Sequence, residues 1–378
     1  MPPIVIEVAR ADDVRDVVHR AVQALAEGQL VVMPTETVYG VAASACSAAG
    51  MRRLAELKQH GADAPFALAV KSAQELEDYA PGASPLAKRL ARRAWPGPVT
   101  LVVDTPQDGG LINQLPEEAR SHICPNGTVG LRCPAHRIVQ DVLRMIPGPL
   151  ALSSANLHGE PDTVSGREAA KALGDKIALV MDDGPAHYGQ PSSVVQVRGG
   201  THTVLREGVV GKPTIDRLSR YLVLMVCTGN TCRSPMAEAL LRRNLAKRLG
   251  CDPDDLEDHG VMVASAGVHA GGGSPASPEA VALMAEMGCP LDRHLSQQLT
   301  EQLVRSADLI VTMTRGHRQA LLASWPDAAP RTRLLMPDAD LSDPIGGSAE
   351  IYRACAEQIE QALDAHAKEI VAGVGGEK

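Results

Sequence analysis

The sequence predicts an α/β protein built as two successive units. Three observations carry this: short apolar runs alternate with helix-length amphipathic segments, one aperiodic stretch interrupts the alternation past mid-chain, and a new apolar run restarts it. At 378 residues the chain is long enough for each unit to bury its own core. The first helix covers residues 12–28, where Val14, Val17, Val18, Ala21 and Leu25 share a face, Asp12 or Asp13 can cap the start and Gly28 closes the end. LVVMPT (30–35) reads as a strand, followed by a helix and a second strand, PFALAV (65–70). The alternation runs on through TLVVD, TVGLRCP, PLALSSAN, IALVMDD and SSVVQV to TVLREG (203–208). GVVGKPTIDRLSR (208–220) carries glycine, proline and charge without a period, so the boundary falls there, between domains of residues 1–212 and 221–378. Beyond it come strand YLVLMV (221–226), a long helix (235–249), strand VMVASAG, helix SPEAVALMAEMG, strand DLIVTM and a final amphipathic helix (348–370). Such alternation means a parallel sheet with helices on both faces.

Composition excludes several classes. Hydrophobic residues make up 44% and charged ones 22%, as in ordinary soluble proteins, while a single Phe leaves the core to Ala, Val, Leu and Ile. No apolar run reaches about 18 residues, so no membrane span is expected. MPPIVIEVARADDVRD lacks a basic region ahead of an apolar one, so no signal peptide is expected and a cytoplasmic address follows. A net charge of −8 argues against a surface built for constitutive nucleic-acid binding. The local exception, KRLARR (88–93), reads as a solvated helix face. Eight cysteines without a C-x-x-C pair read as buried or reactive thiols, and not as a disulfide framework.

The stretch LMVCTGNTCRSPMAEAL (224–240) sets Cys227 and Cys232 around a Gly-Asn turn. As zinc ligands the pair lacks two partners. Cys227 closes an apolar strand, TGNTC can turn tightly, and Pro235 suits the first turn of a helix. Loop N–H groups and a helix N-terminus then converge on one anion site, where a thiol is held as thiolate and can attack phosphorus. Arg233 can grip two phosphoryl oxygens with its planar fork. On these residues, with LSDPIGGS (341–348), SAG (265–267), H-x-S (294–296) and ADLIVTMTRGHR (307–318), the segment from 221 to about 372 resembles the low-molecular-weight protein phosphatases. The resemblance implies Cys227 as nucleophile, Arg233 as phosphate clamp and Asp343 as general acid, through a phosphocysteine intermediate and without a metal. It makes Thr228, Gly229, Asn230, Thr231, Cys232 and Ser234 the rest of the phosphate loop, Ser234 bonding the thiolate and Asn230 holding the loop's shape. The resemblance also implies a phosphoprotein substrate. Thr231 resembles the protein-arginine phosphatases, whereas tyrosine-directed members usually carry an aliphatic residue there.

In the first half, MPTETVYGVAA (33–43) by itself reads as a strand leading into a turn. Together with AWPGPVTLVV, TVGLRCP, SSANLHGEP and VLREG, it makes residues 5–210 resemble the YrdC-like threonylcarbamoyl-AMP synthases. The resemblance implies a twisted α/β sheet around a large basic cavity. It also implies synthesis of threonylcarbamoyl-AMP from L-threonine, bicarbonate and ATP, with magnesium accompanying the nucleotide, for later tRNA modification with other modification proteins. Carried over by position, the substrate-binding residues are Thr35, Lys58, Thr128, Arg132, Ser154, Asn156, Ser192 and Arg206. Lys58, Arg132 and Arg206 can neutralise phosphates and a carboxylate, and the others can supply short polar contacts in a cleft. Three positions depart from the family pattern. His60 stands in place of an arginine, Ala69 in place of a histidine, and Pro191-Ser192-Ser193-Val194 in place of E-S-T-V. The alternative is a binding module that holds a nucleotide or an RNA end without chemistry, or a tether for the phosphatase.

Overall fold

The computed structural model describes residues 2–59, 65–105 and 109–375. The chain divides into two compact units, with the division between Leu218 and Ser219. The stretch 208–220 is not aperiodic coil throughout: Lys212–Ser219 forms a helix, and its buried Ile215 packs into the core of the first unit. Eight residues with one buried side chain are too short to show a period in sequence.

The first unit holds a ten-stranded sheet. Its strands are β1 (Ile4–Glu7), β2 (Val31–Met33), β3 (Gly40–Ser44), β4 (Ala67–Ala69), β5 (Val99–Asp104), β6 (Thr128–Arg132), β7 (Leu150–Ser154), β8 (Leu179–Asp182), β9 (Ser193–Arg198) and β10 (Thr201–Arg206). Their spatial order is β1-β8-β2-β3-β7-β4-β6-β5-β9-β10. Directions are mixed: β1–β8, β2–β8, β4–β6 and β5–β9 pair parallel, while β2–β3, β3–β7, β4–β7, β5–β6 and β9–β10 pair antiparallel. Strand β3 follows the turn in MPTETVYGVAA and was not expected; GVAAS is small and apolar on both faces, so it shows no alternation.

Side-chain alternation sorts this sheet into two jobs. On β6, Val129 and Leu131 enter the apolar core while Thr128, Gly130 and Arg132 face a cavity. On β5, Leu101 and Val103 go to the core, and Thr100 and Val102 to the cavity. On β9, Val195 and Val197 go inward, leaving Val194 and Gln196 on the cavity side. Helix Val14–Ala26 matches its expected span: the Asp13 carboxylate accepts from Arg15 N at 2.9 Å, and Val17, Val18, Ala21 and Leu25 are buried. KRLARR is not a solvated face. It lies on helix Pro85–Ala94, where Arg89 is buried with Leu90 and Ala91, and Arg93 Nη1 donates to Leu218 O at 2.7 Å.

The second unit is a four-stranded, wholly parallel sheet of β11 (Tyr221–Cys227), β12 (Val261–Gly267), β13 (Leu309–Thr312) and β14 (Thr332–Leu334), ordered β12-β11-β13-β14. β11 has successors on both sides, so the chain leaves it in opposite directions and opens a crevice at its carboxyl end. That end is Cys227. Helix Arg233–Leu249 begins six residues on, and helix Ala349–Gly375 packs against it. Buried Leu, Val, Ala and Met side chains, with Tyr352, fill the core.

Candidate active sites

The segment between β11 and helix Arg233–Leu249 is wound around one sulfur. Asn230 has φ +59°, a left-handed turn that few residues other than Gly and Asn adopt. The turn aims Asn230 N–H at Cys227 Sγ (3.2 Å), and Ser234 Oγ stands 2.9 Å from the same sulfur. Asn230 is fully buried, and both polar ends of its side chain are bonded. Nδ2 donates to Ser234 Oγ (2.9 Å) and Ser265 Oγ (2.8 Å), and Oδ1 accepts from Gln297 N–H (2.8 Å). The Asn230 carbonyl meets His294 Nε2 at 2.8 Å. The SAG motif has a steric reason: a Cβ at Gly267 would lie 2.4 Å from Thr228 O and 3.0 Å from Asn230 N.

Arg233 is 6% exposed, and its Nη2 donates to Asp343 Oδ2 (2.6 Å) and Thr228 Oγ1 (3.4 Å). The half-exposed Asp343 carboxylate and the guanidinium therefore face each other at the rim of the loop. Cys232 points away from Cys227's partners, with Sγ 3.4 Å from Ser277 Oγ and 3.3 Å from Tyr352 Oη. Thr231 O accepts from Ser277 N–H at 2.9 Å, which leaves the Thr231 side chain over Gly229, 3.7 Å from where a Cβ there would sit. Among the described residues no group of His, Cys, Asp and Glu could hold a metal ion. Thr228 and His317 form a contact that sequence reasoning missed, with Thr228 Oγ1 2.8 Å from His317 Nε2. The two residues lie 89 positions apart, so no local pattern marks the contact; the sequence signals only the Thr314 cap that starts the helix.

In the first unit a cavity of about 620 Å³ is lined by all eight expected residues, Thr35, Lys58, Thr128, Arg132, Ser154, Asn156, Ser192 and Arg206. The Lys58 ammonium is buried and donates to Ser154 O (3.0 Å), Asn156 O (2.7 Å) and Asn156 Oδ1 (2.9 Å). Ser154 Oγ adds a 2.6 Å bond to that same Oδ1. Burial pulls the Lys58 pKa below its ordinary value, and Asp162 opposes the shift. Arg206 donates through Nε and Nη2 to Ser192 O (3.2 and 2.8 Å), and Thr100 Oγ1 lies 3.0 Å from Ser192 Oγ. Thr35 Oγ1 donates to Val38 O at 2.6 Å and pairs with Thr37 Oγ1, closing the turn after β2.

Arg132 is not a free cation. Its Nη2 donates to Glu36 Oε1 (2.7 Å) and Thr37 Oγ1 (3.0 Å), and Glu36 Oε2 accepts from Ala135 N–H (3.0 Å). Both members of this pair are buried, so their mutual attraction is weakly screened. Glu36 was missed because one acid in a turn carries no sequence signal beyond surface polarity. Ala69 does line the cavity, whereas His60 lies outside the described residues.

Two family descriptions match the chain in succession. Residues 23–208 match the family described as Telomere recombination, that of the Sua5, YciO and YrdC proteins. Residues 222–374 match the family described as Low molecular weight phosphotyrosine protein phosphatase. A presumptive threonylcarbamoyl-AMP synthase of Mycobacterium tuberculosis is 37% identical over 195 residues, 52% of this chain and 85% of the relative. A protein-arginine-phosphatase of Geobacillus stearothermophilus is 39% identical over 155 residues, 40% of this chain and 96% of the relative. The chain belongs to both families. It is therefore an enzyme, a Sua5/YrdC domain followed by a low-molecular-weight phosphatase domain. A solved structure of a P. abyssi Sua5 variant matches 88% of this chain and 98% of its own at TM-score 0.52; at 20% identity this is a likeness of fold.

Proposed function

We propose that the chain is a bifunctional enzyme, with domains at 1–212 and 221–378. The first makes threonylcarbamoyl-AMP and pyrophosphate from L-threonine, bicarbonate and ATP, and the second hydrolyses a phosphoprotein through a cysteinyl phosphate. In the first half the reading is carried by residues scattered along the sequence that line one cavity, and in the second by a local loop wound around Cys227 that Asp343 meets from afar through Arg233. In the first recess Lys58 and Arg206 are cations for the nucleotide phosphates and the threonine carboxylate, Arg132 joins them from its ion pair with Glu36, and hydroxyls at Thr35, Thr128, Ser154 and Ser192 serve orientation. Magnesium accompanying ATP would take oxygen ligands, and among the described residues Asp162 is the carboxylate lining that cavity. A cytoplasmic address and tRNA-modification partners belong to this reading; among the described residues no helix is long and apolar enough to cross a membrane. A second reading, a binding module without chemistry, draws on Ala69 lining the cavity where the family resemblance has a histidine. Pyrophosphate release that depends on both threonine and bicarbonate separates the two.

In the second recess the Cys227 thiolate attacks phosphorus, the P–O or P–N bond to the leaving group breaks, and Asp343 donates the proton that group takes up. Arg233 turns its fork from Asp343 onto two phosphoryl oxygens, which frees the acid for this role. A water assisted by Asp343 then cleaves the S–P bond. Asp343→Asn is expected to cost most with substrates whose leaving group needs a proton and least with activated aryl phosphates. Equal losses on both would take Asp343 out of the acid role.

The substrate reading favours phosphoarginine. Thr231 lies beside the phosphate, and a hydroxyl there can bond an attacking water or a guanidino group, whereas a branched aliphatic side chain would desolvate it. The Geobacillus relative, named a protein-arginine-phosphatase, supports the same choice. Thr231→Ile is expected to lower kcat/KM for phosphoarginine at least about tenfold, roughly 1.4 kcal/mol, with phosphotyrosine unchanged or improved. A wild-type preference for phosphotyrosine that the substitution does not shift would defeat it.

A further inference from the structure

We propose that His317 is a positioning residue for phosphate binding: through the Thr228 hydroxyl it sets where the Arg233 guanidinium waits at the rim of the loop. The proposal rests on the reading of Arg233 as the phosphate clamp. His317 is 7% exposed, in the first turn of helix Arg315–Ser324. Both ring nitrogens are tied to hydroxyls: Nδ1 lies 3.0 Å from Thr314 Oγ1 and Nε2 lies 2.8 Å from Thr228 Oγ1. The Thr314 hydroxyl is itself held, accepting from His317 N–H at 3.2 Å as the helix cap. One end of the imidazole is thus anchored to a helix start, and the other reaches the phosphate loop.

The next link is Arg233. Its Nη2 donates to Thr228 Oγ1 at 3.4 Å and to Asp343 Oδ2 at 2.6 Å. Both contacts use the same nitrogen: Asp343 holds it at the rim, and the Thr228 hydroxyl gives it a second acceptor within the loop. With only the carboxylate present, the guanidinium would be anchored at Asp343 alone, with nothing on the loop to share it when phosphate arrives. Thr228 can share it only if its hydroxyl is held in place, and His317 holds it.

The chemistry of the ring suits the task. A neutral imidazole offers one donor and one acceptor, and each threonine hydroxyl can serve as either, so both tautomers complete the chain Thr314–His317–Thr228. A charged ring would set a second cationic donor beside Arg233 on one oxygen. The surroundings keep it neutral. Burial and then Arg233 drive its pKa down to about 4, with Asp343 and Asp340 opposing and His269 adding to the depression. Those groups come from the helix after the loop, the acidic segment before helix Ala349–Gly375, and the exit of β12. The tether therefore keeps one charge state near neutral pH.

The test uses the full chain and inorganic phosphate as a competitive inhibitor of aryl phosphate hydrolysis at pH 6–8. His317→Leu is expected to raise the phosphate Ki and the KM roughly tenfold while changing kcat less than about threefold. His317→Gln, which can still meet the Thr228 hydroxyl, should stay within about threefold of wild type in Ki. Thr228→Val leaves the helix cap intact and should match His317→Leu. The double variant should be no worse than either single one, because both cut the same chain. An unchanged Ki in Thr228→Val, or losses that add in the double variant, would overturn the proposal. If His317→Leu melts early, the Ki of Thr228→Val decides the matter, since this variant leaves the helix cap and the imidazole in place. Arg233→Ala serves as the control for the underlying reading: if phosphate binds it as tightly as wild type, the clamp assignment is what fails.

Discussion

Replacing Cys227 with serine is expected to abolish phosphatase turnover in the full chain and to leave ATP chemistry unchanged. The loop gathers positive potential at one atom: Asn230 N–H and Ser234 Oγ stand 3.2 and 2.9 Å from the sulfur, and helix Arg233–Leu249 begins beside it. Sulfur is a strong nucleophile toward phosphorus, and a serine hydroxyl in its place is a far poorer one. Arg233 and the loop N–H groups are unaltered in this variant, so inorganic phosphate should still bind. Binding without turnover separates a lost nucleophile from a lost fold. Turnover above a few per cent of wild type would mean that another residue attacks phosphorus. The first domain supplies an internal control, since its cavity is built from none of these residues.

Lys58→Ala or Asn156→Ala is expected to eliminate threonine-dependent pyrophosphate release, with phosphatase turnover intact. The Lys58 ammonium satisfies two buried carbonyls and the Asn156 side-chain oxygen at once. Alanine at 58 removes a cation from the cavity and takes a donor from each of those acceptors, of which Asn156 Oδ1 keeps Ser154 Oγ, at a cost in stability of roughly 1–3 kcal/mol. Alanine at 156 removes the acceptor on which Lys58 and Ser154 converge, so the ammonium loses one of its three acceptors and the Asn156 amide is lost from the cavity lining. Pyrophosphate release should be followed on the full chain with threonine, bicarbonate and ATP. Wild-type rates in either variant would take the pair out of the substrate site. No release by wild type, with His60→Arg failing to restore it, would establish the binding module instead.

The two sites differ in how openly the sequence displays them. In the phosphatase domain the loop is local: Cys227 to Ser234 lie within one turn between a strand and a helix, so C-T-G-N-T-C-R-S-P shows nearly the whole anion site. Only its supports come from afar. Ser265, Gln297 and His294 brace Asn230, and His317 braces Thr228, through single contacts that no spacing rule marks. In the first domain the cavity draws on strands far apart in the chain, and a lone Thr128 or Ser192 is ordinary loop or strand polarity. There the joint resemblance to a family, and not any local pattern, pointed to the eight residues.

Local physics determined the α/β class, the first helix with its Asp13 cap, the Cys227 strand end, and the glycine and asparagine positions of the phosphate loop. Those features depend on periodicity, capping and backbone dihedrals, which neighbours in sequence set. Tertiary structure alone decided the mixed directions of the large sheet, the unannounced strand β3, and the burial of Arg89 in a tract that reads as solvated. It also decided that Arg132 is paired with Glu36 and that Arg233 waits between Asp343 and Thr228. A side chain's charge and hydrogen-bonding capacity are written in its own chemistry. Which partner meets that capacity depends on how strands and helices distant in the chain come to lie side by side, and only long-range packing sets that.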